Sequence, residues 1–409
     1  MKKIILIAIS LLAFFNSNAQ NAIVKTGLEN LVESGFAPLK GKKVGLITNP
    51  TGVDSKLNST VDILSVANEV QLVALYGPEH GVRGNFAAGD IVDGGIDPQT
   101  QLPVYSLYGK NRKPSKEMLS GIDILVYDIQ DIGSRSYTYI STMGLAMEAA
   151  AENNIEFMVL DRPNPLGGSR VEGPLVEPSY ISFVSQYPIP YIYGLTPGEL
   201  AIYLNKEGLL KNGVQCKLTV IPLKGWKRDM VFEETGLPWV PTSPHVPHAV
   251  SPFYYAVSGI LGELDANTIG VGYTLPFEIF AKQWVDAEKF AKKMNDYKLK
   301  GVIFRPIHFK PFYQKDAGKE YSGVQVYFTD KKNANLTGIQ FYVIQALFEM
   351  YPDHNLFNEA PDRLRMFDQV CGSNKIRENL VKRFKYTDIE KLWNGNQEFR
   401  KKVKKYYLY

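Results

Sequence analysis

Val70-Gln71-Leu72-Val73-Ala74-Leu75 runs directly into Tyr76-Gly77-Pro78-Glu79-His80-Gly81. The first half is an apolar run of strand length, and the second is turn chemistry, with glycines on both sides of a proline and two titratable side chains. The chain therefore leaves a buried strand on an acid and a histidine. Open α/β sheets bind ligands at the carboxyl edge of their strands, which makes Glu79 and His80 the first candidates for a site.

Working outward, the same pattern recurs. Lys43 to Thr48 reads as a strand ending in Asn49-Pro50-Thr51-Gly52, and Ser59 can cap a helix running to about Ala67. Ile122 to Tyr127 reads as a strand ending in Asp128-Ile129-Gln130-Asp131-Ile132-Gly133-Ser134-Arg135. A helix from about Tyr137 to Asn153 follows, with Tyr137, Ser141, Gly144 and Glu148 on one face and Ile140, Met143 and Met147 on a core face. Ile155 to Leu160 leads into Asp161-Arg162-Pro163-Asn164-Pro165, and then Gly167-Gly168 and Glu172-Gly173-Pro174. A capped helix from Thr196 to about Leu210 and a strand from Cys216 to Leu223 complete the series. Strands alternating with helices indicate an α/β fold with a doubly wound sheet, and polar loops at successive strand ends can assemble a cleft.

Two long stretches break the alternation. The loop from His80 to Pro103 is glycine-rich, as functional or mobile loops of that length are. The proline- and aromatic-rich stretch from Trp226 to Tyr255 reads as irregular, wrapping the cleft or joining domains. Beyond it lies a smaller α+β unit, with a helix from about Ala287 to Asn295, strands at Val302 to Phe304 and Val324 to Phe328, a helix from about Thr337 to Met350, and C-terminal helices. The resulting division is a leader at 1–19, a catalytic domain at 20–268 and an auxiliary domain at 269–409.

Composition bounds the class. With 409 residues, 45% hydrophobic and 22% charged, the chain is globular and long enough for two cores. The net charge of +4 is small, and the basic run Arg400 to Lys405 reads as a solvated helix end, so no nucleic-acid partner is expected. Lys2-Lys3, the apolar run Ile4 to Phe15 and a small residue at Ala19 form a secretory signal with cleavage after Ala19, predicting a secreted, periplasmic protein. No later stretch is apolar and long enough to span a bilayer. Cys216 and Cys371 permit a disulfide without indicating one, and the sequence does not indicate an oligomeric state.

Absent motifs narrow the chemistry. The sequence holds no Gly-x-Gly-x-x-Gly, no P-loop, no Gly-x-Ser-x-Gly and no His-Glu-x-x-His, and prolines keep His245 and His248 from forming a helical metal pair. Neither a metal nor a cofactor is expected. What stands at the strand ends is a set of acids, Glu79, Asp128, Asp131, Asp161 and Glu172, with Arg83, Arg135, Tyr137 and His80 nearby in sequence. Paired carboxylates are what glycoside hydrolysis uses, and arginines suit an anionic sugar. Structural roles compete: Asp128 or Asp131 can cap the following helix, Asp161-Arg162 can form an ion pair that holds a loop, and Arg135 can do the same.

These residues together resemble the exo-β-N-acetylmuramidase family of bacterial cell-wall turnover, formerly known as a domain of unknown function. The match rests on Thr48-Asn49-Pro50-Thr51-Gly52, Pro78-Glu79-His80-Gly81 with Arg83-Gly84, Asp128-Ile129-Gln130-Asp131 with Gly133 and Arg135, Tyr137-Thr138-Tyr139-Ile140, Asp161 to Pro165, Glu172-Gly173-Pro174 and Phe304-Arg305-Pro306. The resemblance implies a Rossmann-like N-terminal domain, a smaller C-terminal auxiliary domain and a cleft that releases terminal N-acetylmuramic acid from the non-reducing end of peptidoglycan fragments. It carries Glu79 over as the catalytic residue; paired-carboxylate chemistry then makes Glu79 the general acid, with His80 beside it and Asp128 or Asp131 as the second carboxylate or a stabiliser. Asn49, Arg83, Arg135, Tyr137, Asp161, Asn164, Glu172 and His245 are then the candidate substrate contacts. One stretch departs from the family pattern: where relatives carry Ser-Glu-Gly-Arg-Gly, this chain reads Gly262 to Gly272 without the arginine. The alternative from another class is a periplasmic protein that binds muropeptides or sugars without cleaving them.

Overall fold

The structure, a computed structural model, describes residues 24–84, 94–313, 315–383, 385–391, 393 and 395–409. The expected signal segment, within residues 1–23, and residues 85–93 of the glycine-rich loop lie outside the described residues. Strands β1 (Lys43–Thr48), β2 (Gln71–Gly77), β3 (Gly95–Ile96), β4 (Pro103–Ser106), β5 (Ile124–Asp128), β6 (Glu156–Leu160) and β7 (Lys217–Ile221) form one sheet in the order β3-β4-β2-β1-β5-β6-β7. All neighbours run parallel except β3 against β4. From β1 the chain winds outward through β2 to β4, then returns to β5 and winds the other way. That is the Rossmann order, and its switch point lies between β1 and β5, where ligands bind in such sheets. In register, Ile47 faces Tyr76 on one side and Tyr127 on the other, so three strand ends reach the same level.

Helices α1 (Gly27–Glu33), α2 (Thr60–Val66), α3 (Tyr139–Glu152) and α4 (Pro197–Lys206) cover this sheet. Their starts follow from side-chain caps. Thr26 with Glu29 and Thr196 with Glu199 form capping boxes, and the Ser59 hydroxyl accepts from the Asp62 N–H. Helix α3 is buried more completely than its amphipathic reading suggests: Ser141, Gly144 and Glu148 are covered along with Ile140, Met143 and Met147. A Cβ at Gly144 would lie 1.7 Å from the Tyr187 hydroxyl, so packing of Tyr187 requires glycine there.

The second unit contains α5 (Ser251–Gly262), β8 (Ile279–Lys282), α6 (Ala287–Asp296), β9 (Val302–Phe309), β10 (Tyr321–Phe328) and α7 (Leu336–Met350). Its strands are antiparallel in the order β8-β10-β9. Pro306 is tolerated inside β9 because β9 is the edge strand. Two features differ from the sequence reading. The irregular stretch ends at Val250, because Pro252 occupies the first turn of α5, where a missing N–H breaks no bond. Phe253, Val257 and Ile260 of that helix join a core with Phe341 and Ile344 of α7, so the division at 268/269 falls after a helix that shares the second unit's core.

The C-terminus returns to the first unit. Phe399 and Val403 of helix Gly395–Val403 are buried against Leu200, Tyr203 and Leu204 of α4. Lys402 and Lys405 both pair with Glu207. The basic run is thus a docked helix end rather than a free one. Cys216 and Cys371 are buried free thiols, and no helix among the described residues is long and apolar enough to cross a membrane.

Candidate functional site

The loop after β2 is closed by the Gly81 N–H donating to the Pro78 carbonyl at 3.0 Å. His80 adopts φ 73°, in the left-handed region, and is only 7% exposed. A buried non-glycine residue held there costs roughly 1–3 kcal/mol, a cost that folds tolerate at functional turns. A Cβ at Gly84 would lie 2.5 Å from the Pro50 ring, so the loops after β1 and β2 pack in direct contact at the carboxyl edge of the sheet.

Glu79, half-buried, projects from this turn among tyrosines. The Tyr108 hydroxyl, from just beyond β4, hydrogen-bonds the Glu79 carboxylate, and burial together with that negative charge pushes Tyr108 up to about 12. The same charge reaches the hydroxyls of Tyr137 and Tyr139, both raised chiefly by burial. Asn49 holds the β1 turn by accepting from the Thr51 N–H (3.0 Å) and hydroxyl (2.6 Å), and its amide lies beside the Tyr139 hydroxyl. His245 is lowered by burial first and then by the charge of nearby His80. The proline-rich stretch closes over this group: Tyr137 donates to the Thr242 hydroxyl at 2.8 Å and Tyr139 to the Thr242 carbonyl at 2.5 Å. His245 Nε2 lies 2.8 Å from the Tyr313 hydroxyl, which comes from the second unit. Glu79, His80, Asn49, Tyr137 and His245 are therefore brought together. Tyr139, part of the quoted Tyr137 to Ile140 motif but not a candidate contact, joins them, as do Tyr108, Thr242 and Tyr313, which no sequence signal singles out.

Asp131 adjoins the same group. Its charge reaches the Tyr137 hydroxyl, as Glu79's does, so both carboxylates lie within electrostatic reach of one phenol. Its Oδ2 accepts from the Gly133 N–H at 2.7 Å and from Tyr193, while Oδ1 is buried with no hydrogen-bond partner. Burial raises its pKa to about 6, outweighing the Tyr193 hydroxyl and the Gly133 and Ile132 N–H groups, which favour the ionised form. The sign of the stability effect follows. Between about pH 4 and 6 the unfolded chain gives up this proton while the folded protein keeps it, so stability falls as pH rises through that window. Asp131→Asn retains an oxygen for Tyr193 and Gly133 and carries no titrating proton. Its stability relative to wild type is expected to improve by on the order of 2 kcal/mol from pH 4 to pH 7, read by denaturant unfolding; a pH-independent difference would refute this.

The remaining candidates have other partners. Asp128 is fully buried and receives Arg162 Nε at 2.5 Å, Arg162 Nη2 at 2.9 Å and the Thr60 hydroxyl at 2.5 Å. The anticipated Asp161-Arg162 ion pair is therefore an Asp128-Arg162 pair. Neither Asp128 nor Asp131 caps α3, whose N-cap Thr138 makes no side-chain cap bond. Asp161 accepts from the Thr196 hydroxyl and Gly198 N–H at the start of α4 and from the Tyr409 hydroxyl, each at 2.7 Å, which docks the C-terminus. Arg135 is fully buried and donates to the Pro174, Ile189 and Val370 carbonyls and to Ser185, joining the two units; burial lowers it to about 10. Arg83 is paired with Asp62 and Asp97, and anchors the loop after His80. Asn164 bonds the Leu195 carbonyl and the Leu166 N–H within its own turn. Glu172 pairs with Arg170 and accepts from the Thr337 N–H at 2.9 Å, in the first turn of α7. These six residues hold loops, a helix start and the junction of the two units in place.

Residues 44–250 match the family model described as exo-beta-N-acetylmuramidase NamZ, N-terminal, and residues 253–409 match its C-terminal counterpart. The chain is 44% identical over 398 residues to the peptidoglycan beta-N-acetylmuramidase NamZ of Bacillus subtilis (strain 168), a match covering 96% of this chain and 93% of that protein. Its structure is similar to that of a DUF1343 family protein from Bacteroides fragilis NCTC 9343, with a TM-score of 0.91 and 57% identity over 94% of this chain and 99% of the other. A second DUF1343 family protein from the same organism gives a TM-score of 0.73 and 28% identity over the same shares.

Proposed function

The chain belongs to the exo-beta-N-acetylmuramidase NamZ family, and on that footing we propose that it hydrolyses peptidoglycan fragments, releasing terminal N-acetylmuramic acid from the non-reducing end with Glu79 as general acid. The observation that carries this reading is a half-buried carboxyl group on the turn after β2, at the carboxyl edge of the sheet, hydrogen-bonded by Tyr108. In the reaction, Glu79 gives its proton to the glycosidic oxygen as the bond to the anomeric carbon breaks, and the electron pair stays on the departing oxygen. The Tyr108 hydroxyl fixes the carboxyl's orientation. Asp131 is the companion that the shared Tyr137 environment favours, with its charge stabilising the cationic sugar. Arg83 and Arg135 are engaged elsewhere, so the lactyl carboxylate is assigned to ring N–H donors of the neighbouring His80 and His245.

We propose in addition that the protein is exported by the segment ending at Ala19. One preparation tests both statements. Protein recovered from the periplasm should begin at Gln20 and release the chromophore from a chromogenic N-acetylmuramide but not from the matching N-acetylglucosaminide. Saturable sugar binding without product would move the chain to the binding class, and release from the glucosaminide alone would reassign the sugar. An intact Met1 on cytoplasmic protein would overturn export.

A further inference from the structure

The geometry points to a binding shelf for the leaving-group side of the glycan on the exposed rings of Phe312 and Tyr313, an inference that rests on the muramidase reading above. Tyr313 marks the rim of the site: its ring stacks on His245 with centroids 6.1 Å apart and planes 16° from parallel, and its hydroxyl bonds Nε2. His245 in turn lies within electrostatic reach of His80. Next to it, the Phe312 ring packs 5.3 Å from Tyr273, Tyr273 packs 4.8 Å from Phe309, and Phe309 packs 5.7 Å from Tyr321. The Phe312 N–H donates to the Gly272 carbonyl at 2.7 Å, which pins this row to the stretch where the sequence departs from the family pattern.

Phe309 and Tyr321 are buried, whereas Phe312 is 65% and Tyr313 44% exposed. A packed row of rings thus surfaces beside Tyr313 and His245, and adjoining exposed apolar side chains backed in this way mark binding surfaces. An exo-acting site admits only the chain's terminal sugar, so the sugars that follow leave across the rim. Aromatic faces take the C–H face of a pyranose at low entropic cost, since each ring has few rotatable bonds. Tyr273 backs the Phe312 ring with a second aromatic face, which suits the C–H face of a neutral N-acetylhexosamine as the occupant.

The test compares three substrates, methyl N-acetylmuramide, the disaccharide with N-acetylglucosamine as leaving group, and the corresponding tetrasaccharide, following free N-acetylmuramic acid. Phe312→Ala should lower kcat/KM about tenfold on the disaccharide and tetrasaccharide, the worth of one good ring contact, and change it less than twofold on the methyl glycoside. Phe312→Tyr should restore turnover, and melting of both variants should match wild type because the side chain faces water. Unchanged kinetics on all three substrates would overturn the shelf, as would an equal loss on the methyl glycoside. A wild-type protein that cleaves none of them would remove the premise and the shelf with it.

Discussion

Glu79→Gln is expected to lower kcat by about two to four orders of magnitude, the usual worth of a positioned general acid, while leaving the melting temperature within a degree or two of wild type. The fold should not notice the change. Glu79 is half-buried on a turn closed by backbone, and the amide oxygen can still accept from Tyr108. The diagnostic readout is dependence on the leaving group. A nitrophenolate departs with little protonation, whereas a sugar alkoxide departs only with a proton, so the loss should be far larger on the disaccharide than on the nitrophenyl glycoside. Near-native turnover of the disaccharide would take Glu79 out of the mechanism. An equal loss on both substrates would assign it a role other than proton donation.

How much of this was legible in the sequence depends on the range of each interaction. Strand ends were legible because β1, β5 and β6 carry apolar runs and end in turn residues, and these signals are local. The roles of the acids were not. Asp128 takes its partner Arg162 from 34 residues away, Asp161 takes Thr196 from 35 away, and Glu172 takes Thr337 from 165 away. Five acids at strand ends look alike until those partners are placed, and only then do Glu79 and Asp131 stand apart. Tyr108 carries no such signal, because β4, Pro103–Ser106, is short and only partly buried and shows no continuous apolar run. Helix α5 was hidden by Pro252, whose breaker signal is strong in a helix interior and harmless in a first turn. The roles of the arginines are equally non-local: a guanidinium that can bind a sugar carboxylate can equally bind main-chain carbonyls, as Arg135 does.

Arg162→Met is expected to destabilise the protein by about 3–5 kcal/mol, because it leaves the Asp128 carboxylate buried without its counter-ion. The pair joins the end of β5 to the loop after β6, and Arg162 Nη2 also reaches the Val53 carbonyl at 2.9 Å beyond β1. Without it, only the Thr60 hydroxyl remains on Asp128, at a site that water does not reach. A lone buried carboxyl can escape the cost by taking up a proton, so the deficit should be larger at pH 8 than at pH 5. Adding Asp128→Asn should recover much of the lost stability at pH 8, since the uncompensated charge is then gone. The same measurement separates structure from catalysis: per folded molecule, Arg162→Met should keep kcat within about tenfold of wild type, against the orders of magnitude expected for Glu79→Gln. Denaturant unfolding at the two pH values, with activity normalised to the folded fraction, decides it. A cost below about 1 kcal/mol would mean that water or another cation reaches Asp128, and would return that carboxylate to the list of groups able to act on substrate.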